Sequence, residues 1–221
     1  MSENVRRDPR PKRTYAALIA AGRRLYSERP VDAVTVDDIV QAAEVGKGSF
    51  YNHFADRDAL VQAIYDEIRT NVEQAIDQAN SDVADPARRL TRANCIYLRF
   101  ALDDPERAGF MARIHAGLTT LDTPLNRGLM ADISQGMSMG RFRVATLESG
   151  VLCVLGVIQN ALARIVQEQS SWLAVSLAQQ VCAFLLIGLR VPTDEAEMIA
   201  AQESEEIVRA GSFAAQSTDR E

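Results

Sequence analysis

Apolar residues recur at steps of three and four along nearly the whole chain, the spacing that places them on one face of an α-helix. In the first such segment Tyr15, Leu18, Leu25 and Tyr26 follow this spacing, and Pro30 stands just beyond its end. The sequence has no convincing run of alternating or β-branched residues that would indicate a strand. We therefore predict an all-α protein whose first helix covers about residues 13–28.

The segment that follows predicts two short helices joined by a tight turn. Thr35 and Asp38 have the spacing of a capping box, which starts a helix that runs to about Ala43. After a turn at residues 44–46, a third helix is predicted over residues 47–53, with Phe50 and Phe54 packed inward. Two short helices behind a longer supporting helix form the helix-turn-helix geometry, in which the second short helix enters the major groove of DNA.

The remaining sequence predicts a larger helical body. A long fourth helix follows Asp56, and further helices begin at Pro86, at Pro105 and near Pro124. Gly136 and Gly140 are expected to interrupt or end the seventh helix. Two long apolar helices at about 146–168 and 171–189 close the fold, and the polar chain after Pro192 is expected to continue briefly as helix and then fray.

Charge is distributed unevenly. The formal net charge of −6 alone argues against nucleic acid as a partner, but the first sixty residues carry a net +1 and the rest carry −7. Five basic side chains fall within the first thirteen residues, which predicts a short basic arm on an acidic body. Such an arm suits a protein that meets phosphates at one end, although a solvated, disordered terminus would have the same composition.

Several function classes lack support. No serine, cysteine or paired-carboxylate catalytic motif and no glycine-rich phosphate loop is present, so we expect no enzyme and no cofactor. Cys95, Cys153 and Cys182 are widely separated and fit no zinc-ligand spacing with the two histidines, so they are interpreted as small buried residues of a cytoplasmic protein without a metal site. The apolar stretches, such as residues 183–189, are judged too short to span a membrane, and no signal peptide is recognised.

Residues 13–68 resemble the tetracycline-repressor (TetR) family of regulators. The similarity is carried by the stretch from Thr35 to Ile68, and above all by Phe50-Tyr51-x-His53-Phe54 within it. The resemblance implies a DNA-binding head, and together with the polar outer faces of the third helix it predicts the following DNA contacts: Thr35, Lys47, Gly48, Ser49, Tyr51, Asn52, His53 and Arg57.

One turn departs from the family pattern. The family usually has Ala-Gly-Val followed by Ser or Thr, whereas this chain has Ala43-Glu44-Val45-Gly46. Glycine is therefore absent from its usual position, and Gly46 replaces the hydroxyl residue that caps the recognition helix. We expect this turn to look unusual.

The resemblance implies a body that binds a small molecule and dimerises. The implied domains are a basic arm at 1–12, a helix-turn-helix domain at 13–55, a ligand-binding and dimerisation domain at 56–200 and a polar tail at 201–221. A homodimer is expected through the last two long helices, since one recognition helix reads too few base pairs. The ligand is expected to be a modest-sized, largely apolar effector, and the fourth helix to carry a population shift that separates the heads.

Polar and soft side chains within apolar helix faces are the candidates for ligand contacts. Tyr97, Phe110, Met111, His115, Met130, Met137 and Asn160 are predicted to contact the ligand, and Asn94, Phe100, Arg113 and Gln159 belong to the wider set. Each of them would also suit an ordinary core or surface position.

The function that this pattern favours is a transcriptional regulator that binds double-stranded DNA, with a repressor released from a palindromic operator as its expected form. Repression and activation remain open at this point. The alternatives are a helical adaptor for protein partners, a ligand-binding protein without DNA binding, and an all-helical enzyme.

Overall fold

A computed structural model describes residues 9–114 and 126–211, and within these ranges the regular structure is entirely helical. The all-α prediction is confirmed. The α-helices are α1 (Pro9–Glu28), α2 (Val36–Ala42), α3 (Lys47–Tyr51), α4 (Arg57–Ala79), α5 (Pro86–Asp103), α6 (Pro105–Ile114), α7 (Arg127–Ser138), α8 (Leu147–Glu168), α9 (Ser171–Gly188) and α10 (Thr193–Glu203). A 3₁₀ turn covers Val31–Ala33, and a π-helical segment, Ser204–Arg209, extends α10.

The chain forms two compact units, one up to Glu67 and one from Ile68 onward. The first unit, which we call the head, contains α1, α2, α3 and the first half of α4. Its apolar core includes Leu18, Tyr26, Ile39, Phe50, Leu60 and Ile64, all almost completely buried. Gly22 lets α1 lie close to α4, because a Cβ at this position would stand 2.9 Å from the Cδ2 of Leu60.

The second unit, which we call the body, is built around α5. Most of α5 is buried, because α6, α7, α8, α9, α10 and the π-helical segment all pack against it. Asp85 caps α5 through its side chain, which accepts a hydrogen bond from the Ala87 N–H at 3.2 Å. Gly140, with φ of 68°, ends α7 as expected, whereas Gly136 lies inside that helix beneath the ring of Phe142.

The C-terminal segment is more ordered than the expected fraying tail. Ile199, Ala200 and Val208 are buried, and the carboxylate of Glu203 is held by Arg88 and Arg92 of α5. The sequence interpretation missed this because the partners of Glu203 lie more than a hundred residues away along the chain.

The expectation that no apolar stretch is long enough to span a membrane is wrong for α8 and α9. Their most apolar 18-residue windows have mean hydropathies of 1.7 and 1.6, so length and composition alone would allow both to cross a bilayer. Core helices of water-soluble proteins can meet the same test. Only 44% and 39% of these windows are buried within the single chain, so each helix has an apolar side still to be covered.

Candidate DNA-binding surface and ligand-binding core

Helix α2 begins at the predicted capping box. The Thr35 hydroxyl accepts a hydrogen bond from the Asp38 N–H at 3.1 Å, and the Asp38 carboxylate accepts hydrogen bonds from the Thr35 N–H at 2.8 Å and from its hydroxyl at 2.7 Å. These bonds from the Thr35 backbone and side chain lower the pKa of Asp38 below its usual value. Thr35 is exposed, but its hydroxyl proton is already donated within the head.

The turn between α2 and α3 is unusual where the sequence indicated. Glu44 adopts the left-handed conformation with φ of 54°, and the following Val45 N–H returns to the Val40 carbonyl at 3.0 Å. Left-handed backbone favours glycine, because a Cβ crowds the following carbonyl. Gly46 is extended and stands at the N-cap of α3 without a side chain to cap it.

Helix α3 separates an inner face from an outer one. Phe50 is completely buried and its ring centroid lies 5.7 Å from that of Phe54. His53 is half-buried, with its ring centroid 5.9 Å from that of Tyr15. The other predicted contacts on this helix point outward: Lys47, Gly48, Tyr51 and Asn52 are exposed and Ser49 is half-buried.

The outer face is open and carries a single ion pair near its start. A Cβ added at Gly48 would meet nothing within 4 Å, so the backbone there can be approached closely. The Lys47 ammonium lies 2.9 Å from the Asp37 carboxylate on α2, and both side chains are mostly exposed. The hydrogen bond and charge of Asp37 raise the pKa of Lys47, so this side chain stays cationic.

Arg57 is used inside the head. Its Nη1 donates to the carbonyls of Val31 and Val34, each at 3.2 Å, and its Nη2 lies 3.5 Å from Asp32. The guanidinium thus holds the 3₁₀ turn against the start of α4. The predicted role of Arg57 at the DNA backbone stays a prediction. The basic arm falls largely on residues 1–8, outside the described residues.

The body contains a buried series of two hydrogen bonds that link α5, α8 and α6. The Tyr97 hydroxyl of α5 donates to Gln159 Oε1 of α8 at 2.8 Å, and Gln159 Nε2 donates to the Met111 carbonyl of α6 at 2.9 Å. Phe110 beside Met111 is completely buried. Three predicted ligand contacts, Tyr97, Phe110 and Met111, are therefore brought into one core.

The other predicted ligand residues are more scattered. Met130 and Met137 are half-buried on α7, and Asn160 is exposed on α8 with its Nδ2 bonded to the Gly156 carbonyl at 2.7 Å. His115 lies outside the described residues. Sequence reasoning missed Arg69, whose guanidinium carbon lies 5.9 Å from the centroid of the Tyr97 ring. Its spacing to Glu73 indicates only a surface ion pair within α4.

An apolar groove runs along the outer sides of α8 and α9. Its lining includes Leu152, Cys153, Gly156, Val157, Leu177 and Val181. On the same pair of helices Trp172, Phe184 and Ile187 are exposed, Trp172 by 74% and Phe184 by 63%. Cys153 is exposed in this groove, so its interpretation as a buried residue is wrong, whereas Cys95 and Cys182 are buried as expected.

A short helix with an exposed polar face that follows a capped partner helix is the arrangement of a helix-turn-helix protein, and comparisons with known proteins agree. The family described as "Bacterial regulatory proteins, tetR family" matches residues 18–64. The repressor DhaR of Mycobacterium sp. (strain GP1) is 36% identical over 74 residues, covering 33% of this chain and 37% of DhaR. The regulator AcuR of Cereibacter sphaeroides is 33% identical over 97 residues, covering 43% and 42%.

A solved structure extends the likeness beyond the head. RolR in complex with resorcinol has a TM-score of 0.68 and 29% identity, and the alignment covers 89% of this chain and 97% of RolR. A γ-butyrolactone receptor at 18% identity and a TM-score of 0.61 shares the fold. Residues 18–64 therefore match the TetR family, and RolR shares the fold over 89% of this chain. The chain spans between 27% and 42% of the lengths of the first curated relatives that it matches.

Proposed function

We propose that the protein is a DNA-binding transcriptional regulator that acts as a homodimer and answers to a small molecule. The observation that carries the proposal is the exposed polar face of α3 on a head whose apolar residues are buried. Lys47, Tyr51 and Asn52 supply a cation, a hydroxyl and an amide on that face, which are groups that contact phosphates and base edges. The protein is proposed to act in the cytoplasm as a repressor. It would block a promoter simply by occupying the operator.

DNA binding is tested by a gel shift with the DNA that flanks the gene. Asn52→Ala is expected to weaken specific binding by about 1–3 kcal/mol if the amide reads a base, and Lys47→Ala to weaken binding to all sequences and lower the salt slope by about one. Gln167→Ala, an exposed position of the body, is the control. Specific binding that is unchanged in both head variants would contradict the proposed surface.

The groove between α8 and α9 is proposed as the dimer interface. More than half of each apolar window is left unburied in the single chain, and small residues such as Gly156 allow helices to approach closely. Phe184→Glu is expected to yield monomers in analytical ultracentrifugation and to lower operator affinity. Met198→Glu on α10, where the exposed fraction is 47%, is the matched control and should remain dimeric. A Phe184→Glu variant that stays dimeric would place the interface elsewhere.

The effector is proposed to be a small, largely apolar molecule with one or two polar groups. The buried series of hydrogen bonds from Tyr97 through Gln159 to the Met111 carbonyl offers polar groups within an apolar body, and the similar protein RolR has resorcinol as its ligand. Resorcinol is therefore the first compound to titrate by calorimetry and in the gel shift. Helix α4, which contributes residues to both units, is the proposed route of coupling.

The alternative of a protein-binding adaptor makes a different prediction. An adaptor would keep the apolar groove but would have no use for the open polar face around Gly48. A dimer that fails to shift any flanking DNA, even at low salt, would favour the adaptor.

A further inference from the structure

Asn94 stands out among the buried polar side chains of the body. It lies in the middle of α5, and only 6% of the residue is exposed. Its Nδ2 has no hydrogen-bond partner among the described residues. Buried amide donors nearly always have a partner, because leaving one unmade forfeits the interactions that water would supply. The Asn94 amide is thus a buried donor without an acceptor among the described residues.

The spacing along α5 places Asn94 on the same side of the helix as Tyr97, which begins the buried series of hydrogen bonds. Tyr97 lies three residues further along α5, and residues at this spacing are neighbours on one helix face. The Tyr97 hydroxyl already donates to Gln159, whose amide is oriented in turn by the Met111 carbonyl. Leu90, Leu98 and Ala101, which flank Asn94 along α5, are buried and apolar.

The charges on α5 indicate which kind of acceptor would fit. All four arginines of this helix are paired with acidic side chains: Arg88 and Arg92 with Glu203, Arg89 with Asp132, and Arg99 with Asp103. None of them is left as a counter-ion for an anionic ligand near Asn94. Since burying an unpaired charge is far costlier than burying a neutral polar group, a neutral oxygen fits best.

We propose that Asn94 donates a hydrogen bond to an uncharged oxygen of the effector, and that it selects hydroxyl-bearing or carbonyl-bearing small molecules against hydrocarbons of the same shape. The proposal rests on the proposed function in that the body binds an effector. It adds which atom recognises the effector and which chemical class is accepted.

The test compares phenol with toluene, which differ by one hydroxyl in place of a methyl group. Binding of each is measured by calorimetry on the full chain without DNA. Wild type is expected to prefer phenol by about tenfold, the effect of one good hydrogen bond. Asn94→Leu and Asn94→Ala should abolish this preference, and the second variant guards against a steric effect of the leucine.

Thr91→Val is the matched control. Thr91 is also buried on α5, but its hydroxyl already donates to the Ala87 carbonyl at 2.9 Å, so this variant should keep the preference for phenol. Asn94→Leu should also be at least as stable as wild type without ligand, since it removes an unpaired donor.

Three results would overturn the proposal: wild type that binds neither probe, wild type that binds both equally, or an Asn94→Leu variant that still prefers phenol. A loss of stability in Asn94→Leu would also contradict the proposal, because the amide would then stabilise the fold and would not be reserved for the effector. A gel shift with the same variants separates this failure from failure of the proposed function, because Asn94 lies in the body and DNA binding without ligand is expected to be unchanged in its variants.

Discussion

Polar side chains are exposed on the head but are buried and paired in the body. In the head, Lys47, Tyr51 and Asn52 project from a short helix whose only buried residue is Phe50. In the body, Glu203, Asp132 and Gln159 are buried and are held by partners from other helices. The polar groups on α3 of the head are thus open to solvent, whereas most of those in the body hold helices together.

This difference predicts that the two units tolerate substitution unequally. An exposed side chain can be replaced with little effect on folding, so substitutions on the outer face of α3 should leave the fold of the head intact. A buried polar group must keep its partner, because removing one member leaves the other unpaired in a medium of low polarity. Substitutions of these polar residues should therefore lower the free energy of unfolding little in the head and strongly in the body.

The largest expected effect is at Glu203. Its carboxylate accepts hydrogen bonds from Arg88 at 2.8 Å and from Arg92 at 2.7 Å, and its side chain is only 3% exposed. Glu203→Ala leaves two partly buried guanidinium groups without this partner, and breaking a buried pair costs about 3–5 kcal/mol. Urea denaturation measures the loss.

The control for Glu203 is an ion pair whose carboxylate lies two residues further on. Glu205 pairs with Arg209 at 2.6 Å, but both side chains are more than half exposed. Glu205→Ala is expected to change the free energy of unfolding by less than about 0.5 kcal/mol. Equal losses in the two variants would show that the C-terminal segment does not depend on the buried carboxylate.

Two glycines provide the next test of the comparison. A Cβ at Gly136 in the body would stand 2.1 Å from the Cδ2 of Phe142, whose ring is buried, so Gly136→Ala forces packed atoms to move and should cost about 1–3 kcal/mol. A Cβ at Gly48 in the head meets nothing. Gly48→Ala should fold normally and weaken DNA binding instead. Thermal unfolding and the gel shift, run on both variants, check this reversal.

The sequence predicted the head better than the body for a physical reason. The capping box of Thr35 and Asp38, the turn at Glu44 and the pair Phe50 and Phe54 all act within a few residues, so local patterns reveal them. The body depends on contacts between distant segments. Glu203 with Arg92, and Tyr97 with Gln159, leave no pattern in a single sequence.

The same limit applies to the candidate ligand residues. Tyr97 and Asn160 are both polar residues on apolar helices, yet Tyr97 is buried and Asn160 is exposed. Only the rotation of each helix against its neighbours separates them, and a helix that is apolar on several sides does not reveal that rotation. Helix α9 is such a case, since apolar residues occur on both its buried and its exposed sides.

The two capping boxes predict a difference in acid sensitivity. Thr35→Ala should cost the head about 1 kcal/mol, the usual effect of losing an N-cap. The folded-state pKa of Asp38 lies below its ordinary value of 3.8, so the stability that it contributes is full above that pH and is lost as the pH falls through the folded-state value. Removing the Thr35 hydroxyl brings the two values closer, so the acid loss of stability should be smaller in the variant.

The matched variant is Thr146→Ala at the start of α8. Thr146 forms a capping box with Ser149, in which the partner is a hydroxyl and not a carboxylate. Its loss should lower stability by a similar amount at every pH. Urea denaturation at neutral and acidic pH measures both variants, and parallel pH profiles in the two would show that Asp38 contributes nothing to acid sensitivity.

The smallest expected effect has the opposite sign. Glu44→Gly in the head removes a left-handed conformation that costs a residue with a Cβ about 1–2 kcal/mol, while the greater freedom of glycine in the unfolded chain returns about 0.5–1 kcal/mol. A net gain of about 0.5–1 kcal/mol is expected in urea denaturation. Gln169 of the body, with φ of 50°, is the comparison, because its Nε2 donates to the Ala101 carbonyl at 3.0 Å. Gln169→Gly loses that bond along with the strain, so it should gain nothing, and a similar gain at both sites would show that backbone strain alone decides the outcome.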